Sequence, residues 1–503
     1  MTLLYIDILH IIEKSISLCI KSFSVIQAVT LNIYSEFIKR FRREPDLAGI
    51  VAVSDAETRK AKNVVYILAH CMRMLQHRGK AYWKIMVENN FAEGDGPLPY
   101  EEKIFRIVNE HKLTGHDGIG FLSKRRPESS GFRHSQIALD GFLVDTEKLY
   151  LHPMIGGARD SDPLYQIYCI FKILLTRNRD PPKATDFLDR HLRGNMLVRV
   201  GGDIYAYRNS TGFKPLVLGS NKKGTLHIIA SENSLRISLI DLTFRDVAPG
   251  ELLKLDRKSG PITLTRQLSP NMVVDPFEFI RESNAASIVN GKSIYEIRKN
   301  IGREQSKFLS GRFQIESAFA EPDYTRPMGL GFSLEYQKNH KMFEIGEGVI
   351  KDRYDDSDHM IDFSEEVSKY KLLTTGKSLK FVVENLVSDK SIGTIQGTIQ
   401  TGATVKETIH YLKKAGAKQI IVVVSYPPTI DGRQVGLYTQ HRDFVANKYV
   451  GKVSSIDEIN GLISHEIGAD KVYYNSPTLL ARAVGIAEVN LWFPEWIRFL
   501  EYQ

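Results

Sequence analysis

The stretch SIGTIQGTIQTGATVKETIHYLKKAGAKQIIVVV, Ser391 to Val424, constrains the fold more than any other part of the chain. It reads as a strand, a loop of small and hydroxyl residues, a helix and a second strand. Two strands joined by a helical crossover are typical of a parallel sheet covered by helices. The loop supplies Thr and Gly where the helix opens, and backbone amides at a helix N-terminus can bind an anion. That is the shape of a phosphate cradle. Yet no acidic residue lies between Ser391 and Val405, so the cradle comes without a carboxylate beside it.

At 503 residues the chain exceeds one ordinary core, and two or three domains are expected. Cys19, Cys71 and Cys169 are far apart, with no CxxC, HExxH or Cys/His cluster. That argues against zinc, iron–sulfur clusters and a disulfide framework, and fits a reducing cytosol. A cytoplasmic chain without metal or cofactor is the expectation. The net charge of +8 leans toward an anionic partner, RNA or a negative membrane surface, against the plainer reading of a basic-leaning surface. Residues 1–46 place apolar side chains at helical spacing (Leu4, Ile8, Ile12, Cys19, Phe23, Ile26, Ile33, Phe37) and end in Lys39, Arg40, Arg42 and Arg43. Charges interrupt this arm before it reaches the ~18–20 apolar residues of a membrane span, so no transmembrane segment is expected. It reads either as a helix packed on its own domain or as an arm docking on a partner or membrane.

Residues 47–270 are rich in short strand-like runs with glycine turns, among them AGIVAV, GIGFLS, QIALDGFLVD, MLVRVGGDIYAYR and ELLKLD. Two helical patterns, NVVYILAHCMRMLQHRG and DPLYQIYCIFKILLTR, cover them, and Cys71 falls on the first as a core residue. This is a layered α+β pattern. Residues 271–475 change rhythm to helix–strand alternation, with GRFQIESAF and KMFEIGEGVI as strands. The tail, 476–503, is aromatic and suited to capping a core or docking on a partner.

The string TIQTGATVKETIHYLKKAGAKQIIVVVSYPPTIDGRQVGLYT resembles the glutamine amidophosphoribosyltransferases, as do FEFIRESNAASIVNGKSIYEIRKNIGRE, EPDYTRPMGLGFS, GVIKDRY and EINGLISHEIGADKVYY. LQHRG, GHDGIGFLS, LDGFLVD, TGFKPLVLG and VAPGELL fall in the family's order in the first half. The likeness covers about Leu47 to Val472. It implies an Ntn-hydrolase-like glutaminase domain, layered αββα, followed by an α/β type I phosphoribosyltransferase-like domain with a parallel sheet.

Residue by residue, the resemblance implies losses. The family's nucleophilic cysteine falls at Ala48, behind a 47-residue extension, and Ala has no thiol to attack a glutamine amide. The arginine that clamps the glutamine carboxylate falls at Ser123. The oxyanion asparagine falls at Asp140, before Gly141, where a carboxylate would repel the developing charge. Lys80, Ala81, Tyr82 and Trp83 replace small residues, and Tyr82 with Trp83 is expected to fill the glutamine pocket. Asp160 matches an acid of that pocket, while His77, Arg78 and Gly79 are expected to remain for structure. In the second half the two acids that hold the ribose fall at Gln396 and Gly397. Tyr324 stands in the pyrophosphate loop where a small hydroxyl residue is usual, and Asp355, Asp356 and Asp358 follow where the lid would contact pyrophosphate. Thr398, Thr401, Gly402, Ala403 and Thr404 remain as a phosphate loop, with Lys351 and Arg353 as accompanying cations.

These positions lead to the expectation of a pseudoenzyme: an inactive paralogue with no catalytic residues. It would act as a binding, scaffold or regulatory protein on itself, on an active paralogue, or on RNA or the ribosome through Lys39–Arg43 and Lys124, Arg125, Arg126 and Arg133. Two alternatives stand beside it. One is a sensor of nucleotide or phosphoribosyl pyrophosphate that uses Thr398–Thr404. The other is a residual, ammonia-using transferase of purine biosynthesis.

Overall fold

Strand β1 (Ala48–Asp55) divides its buried side chains between two cores. Ala48, Ile50 and Ala52 enter one, and Val51 and Val53 the other, as the two-residue period of a strand requires. The computed structural model describes residues 48–56, 62–127, 136–146, 149, 162–235, 241–269, 271–352, 380–436 and 444–502. They belong to one compact unit, residues 45–503. The N-terminal arm, Asp160, Arg133, Arg353 and the acids 355, 356 and 358 lie outside the described residues.

β1 sits in a seven-stranded antiparallel sheet of order β10-β8-β9-β1-β4-β2-β3. Its members include β2 (Tyr82–Val87), β3 (Asn90–Asp95) and β4 (Asp117–Ser123), with β8 (Val217–Asn221), β9 (Leu226–Ala230) and β10 (Leu242–Asp246). Helices α1 (Lys62–Met74) and α2 (Glu101–Glu110) place Val64, Val65, Leu68, Ile104 and Val108 in the core of Val51 and Val53. Cys71 is buried there, and burial pushes its thiol up to about 12. A second antiparallel sheet has the order β12-β11-β7-β6-β5. It contains β5 (Ile137–Leu143), β6 (Leu192–Val200), β7 (Asp203–Arg208), β11 (Glu251–Asp256) and β12 (Gly260–Arg266). Helices α3 (Pro163–Thr176) and α4 (Pro181–His191) each begin with Pro behind a capping Asp, Asp162 and Asp180. Their Leu164, Ile167, Phe171 and Leu188 share a core with Ala48, Ile50 and Leu139.

After a short ribbon of β13 (Ile288–Val289) and β14 (Lys292–Ser293), helix α5 (Ile294–Leu309) starts at a Ser293 cap. A parallel sheet follows, of order β16-β15-β19-β20-β21. It comprises β15 (Ser317–Ala320), β16 (Glu344–Ile345), β19 (Ser391–Gln396), β20 (Gln419–Val424) and β21 (Lys471–Tyr474), with helices α6 (Arg326–Tyr336), α7 (Ala403–Lys414) and α8 (Ile456–Ile467) between strands. The unit read from Ser391 to Val424 is β19–α7–β20. KMFEIGEGVI differs from its reading as one strand: Glu344–Ile345 joins the parallel sheet, and β17 (Val349–Lys351) pairs instead with β18 (Lys380–Val382).

The tail folds back through α9 (Pro477–Val484) and α10 (Glu495–Phe499). Trp492 packs on Phe142 and Phe213, with ring centres 6.1 and 6.0 Å away, so this aromatic segment caps a core. Among the described residues no helix is long and apolar enough to cross a membrane.

α5 and α6 touch backbone to backbone. A Cβ on Gly302 would lie 1.9 Å from the Met328 carbonyl oxygen, and one on Gly331 would lie 1.9 Å from that of Lys299. Gly302→Ala should therefore cost about 1–3 kcal/mol, the usual scale of overpacking. The test is a lowered urea midpoint at unchanged slope. Gly311→Ala, where nothing lies within 4 Å, should shift stability by less than about 0.5 kcal/mol.

Candidate functional site

In the first half, register brings the expected positions together. Ala48 lies opposite Ser123 across β1 and β4, and Ser123 lies opposite Tyr82 across β4 and β2. The three therefore form one row on one face. Tyr82 closes this row, and its hydroxyl donates to Glu93 at 2.7 Å. Trp83 does not join it. As the next residue on a strand it points to the opposite face, into the core of Val64 and Leu68. Only Tyr82 can occupy the expected pocket, which corrects the paired reading.

Arg78 is fully buried next to this row. Its Nε donates to the Ala48 carbonyl at 3.4 Å. Its two Nη atoms hold Glu278 at 2.7 and 3.1 Å, in the two-pronged geometry that suits a guanidinium and a carboxylate. Nη2 also reaches Asp140 at 3.1 Å, and Nη1 reaches Glu232 at 3.5 Å. Glu232 further accepts from His77 at 2.5 Å, from the Asn284 amide at 2.7 Å and from the Ser287 hydroxyl at 2.5 Å. Lys214 completes the cluster, 2.5 Å from Asp275 and 3.0 Å from Glu278. Burial alone would raise Glu232, but His77, Arg78 and Ser287 outweigh it and hold the carboxyl at about 2. For Asp140 burial wins over Arg78 and Lys214, and its carboxyl is pushed up to about 6. Sequence reasoning placed Asp140 and Arg78 but missed Glu232, Glu278 and Lys214, which lie 154, 200 and 136 positions from Arg78 along the chain.

Lys124 and Arg126 read as part of a basic cluster facing nucleic acid, and the structure corrects the surface placement of Lys124. Lys124 is buried 2.5 Å from Glu282. Arg126 pairs with Glu93 at 3.1 Å and Asp95 at 2.7 Å. The Lys124 charge is met inside the protein, whereas Arg126 is exposed and its pairs lie at the surface.

The second candidate site lies where β15 and β19 end. Gly402 adopts φ 79°, a left-handed conformation open to glycine, and starts α7. Thr401 Oγ1 accepts from the Ala403 amide at 3.4 Å. Thr404 opens the first turn and Thr398 lies half-buried before it. Thr401 to Thr404 thus surround the N-terminus of α7, and Thr398 lies three residues before them. Lys351 lies directly opposite Lys380 across β17 and β18. Facing like charges disfavour each other unless an anion or acid answers them. Lys380 pairs with Glu321 and donates to Thr408 on α7 at 2.8 Å.

Glu321 was not singled out from the sequence. It follows β15, and its amide donates to the Ile395 carbonyl at 3.0 Å. Its carboxylate accepts from Gln396 at 3.3 Å and Thr408 at 3.1 Å. A carboxylate therefore stands beside Gln396 although positions 396 and 397 carry none. Tyr324 occupies the space over Gly397, where a Cβ would meet its Oη at 2.4 Å. Arg281 lies over the Tyr324 ring, 5.1 Å from its centroid. The crowding expected from Tyr324 thus falls on the second position of the missing acid pair. Among the described residues no group of three or more His, Cys, Asp or Glu is arranged to hold a metal ion.

No protein-family model matches the chain. It is similar to a protein named amidophosphoribosyltransferase from Synechococcus elongatus, 26% identical over 424 residues, covering 80% of this chain and 81% of that one. It is 25% identical over 468 residues to a protein of the same name from Methanothermobacter thermautotrophicus, covering 88% and 91%. Among solved structures it resembles one described as the allosteric regulatory enzyme of purine biosynthesis, with TM-score 0.68, 19% identity and coverage of 88% and 94%. It also resembles the glutamine phosphoribosylpyrophosphate amidotransferase of B. subtilis, with TM-score 0.66, 19% identity and coverage of 87% and 92%. At that identity the structural likeness bears on the fold alone. The expectation that the chain is no enzyme is corrected by these relatives, which carry an enzyme's name across most of its length. That expectation rested on single positions in two sites and did not include Glu321.

The charge cluster sets a pH response. Glu232 is held below its unfolded value of 4.5, so its stabilisation is present at neutral pH and is lost as pH falls from about 4.5 toward 2. Glu232→Gln should flatten that acid limb in denaturant unfolding measured at several pH values. At pH 7 it should cost roughly 3 kcal/mol, because Arg78 would lose a buried carboxylate.

Proposed function

We propose, from its similarity to the amidophosphoribosyltransferases, that the chain is a transferase of their class that takes ammonia, not glutamine, as its nitrogen source. Ammonia would attack the anomeric carbon of phosphoribosyl pyrophosphate. The bond to the pyrophosphate oxygen would break, giving phosphoribosylamine and pyrophosphate with release of one proton. We read the first half as an αββα Ntn-type layer structure that no longer carries the thiol, since Ala48 offers only a methyl group.

The observation that carries this reading is Glu321. It supplies a carboxylate at the strand ends, beside Gln396 and next to the loop Thr398–Thr404, with Lys351 and Lys380 on the facing ribbon. In this reading the loop amides hold the 5-phosphate. Gln396 and Glu321 orient the ribose hydroxyls, and Lys351 meets the pyrophosphate charge. Glu321 is already partly neutralised by Lys380, which argues for turnover slower than in a site with two unpaired acids.

The purified full chain with phosphoribosyl pyrophosphate and ammonium chloride should release pyrophosphate, and glutamine in place of ammonium should not support the reaction. Saturable binding of phosphoribosyl pyrophosphate by calorimetry without any turnover would replace this reading with that of a sensor. A paired variant, Tyr324→Ser with Gly397→Asp, removes the clash and restores an acid. It should raise kcat/KM for phosphoribosyl pyrophosphate about tenfold or more, a gain of ~1.4 kcal/mol in transition-state stabilisation. Glu321→Gln should lower it by a similar factor.

A further inference from the structure

A cavity of about 250 Å³ opens at β21, the outer edge of the parallel sheet. The end of α5, the start of α8, β21 itself and Tyr502 of the tail enclose it. It shares no lining residue with the loop 398–404 or with Glu321, Lys351 and Lys380. One wall is aromatic. Phe308 and Tyr473 stack with ring centres 5.1 Å apart and planes at 29°. Arg312 lies over Phe308, 4.0 Å from its centroid. Arg312 and Lys471 are exposed at the rim, and Asp457 is the one acid there, so two cations stand against one anion.

Tyr474 and Tyr502 line the inner part. Both hydroxyls are buried, and neither has a hydrogen-bond partner among the described residues. A buried phenol usually finds a partner, so unsatisfied hydroxyls on two lining residues call for an acceptor. Burial pushes both phenols up, which keeps them protonated and able to donate. The volume is below the ~300–1,000 Å³ of pockets for drug-sized ligands. The occupant is therefore a compact molecule of one or two rings, too small for a nucleotide.

We propose that this cavity is a binding site for a small planar aromatic anion. Its ring lies against Phe308 and Tyr473, its charged group faces Arg312 and Lys471, and an acceptor atom on the ring meets the Tyr474 hydroxyl. The site is separate from the proposed transferase chemistry and does not depend on it.

Three probes divide these contacts, measured by calorimetry or ligand-observed NMR on the full chain. Nicotinate has both ring acceptor and charge, benzoate only the charge, and nicotinamide only the acceptor. Nicotinate should bind most tightly, with each of the others about tenfold weaker for the contact it lacks. Tyr474→Phe should weaken nicotinate about tenfold and leave benzoate unchanged. Arg312→Gln, an exposed change that spares the fold, should weaken both acids and leave nicotinamide unchanged. No binding of nicotinate by about 10 mM would overturn the proposal, a weakness beyond roughly −3 kcal/mol of affinity being no site at all. Equal affinity for the three probes, or nicotinate binding indifferent to both variants, would overturn it equally.

Discussion

Arg78 holds the chain together at the point where its two halves meet. Its guanidinium is out of water, so it is tolerable only while carboxylates surround it. Those carboxylates come from β5 (Asp140), from the end of β9 (Glu232) and from the segment that leads into the second half (Glu278). Lys214 adds a second buried cation that binds Asp275 and Glu278 together. The segment 275–287 is thus fixed to the first half by charge before α5 begins. Ser283 bonding Glu278 at 2.6 Å, and Asn284 and Ser287 bonding Glu232, remove the remaining freedom. Such a cluster contributes less to net stability than to specificity of arrangement, because desolvation offsets most of the attraction.

The second half solves a different problem. A bulky Tyr324 in the loop after β15 needs room, and Gly397 provides it because any Cβ there would strike the ring. The acid one would look for at position 397 is sterically incompatible with that tyrosine. A carboxylate is present nonetheless, one strand over, at Glu321. Parallel pairing of β15 with β19 sets Glu321 beside Gln396. The chemistry of a site at the ends of parallel strands depends on which strands are neighbours as much as on which residues they carry.

Much of this was legible from periodicity. The β6–β7 hairpin and the β19–α7–β20 unit follow from local patterns that tertiary contacts did not override. The readings that failed share a cause. Lys124 looks like a surface cation, but its partner Glu282 is 158 residues away. Trp83 was grouped with Tyr82 by adjacency, and the strand sends the two to opposite faces. KMFEIGEGVI was read as one strand, and its halves pair in different sheets. The inference from missing acids to missing activity, which the enzyme names of the relatives correct, likewise weighed positions in one strand without the strand beside it, where Glu321 stands.

Sequence by itself determined much of the order of strands and helices, the parallel character of the second half, the absence of a thiol at Ala48 and the small and hydroxyl residues of the loop Thr398–Thr404. Each of these is carried by residue type or by spacing within about one element. Only the tertiary structure decided where charge resides. It buried Arg78 among Asp140, Glu232 and Glu278, turned Lys124 inward and brought Glu321 to Gln396. The physical reason is that Coulomb and hydrogen-bond energies depend on distance in space, and strand order and register set those distances between residues dozens to hundreds of positions apart.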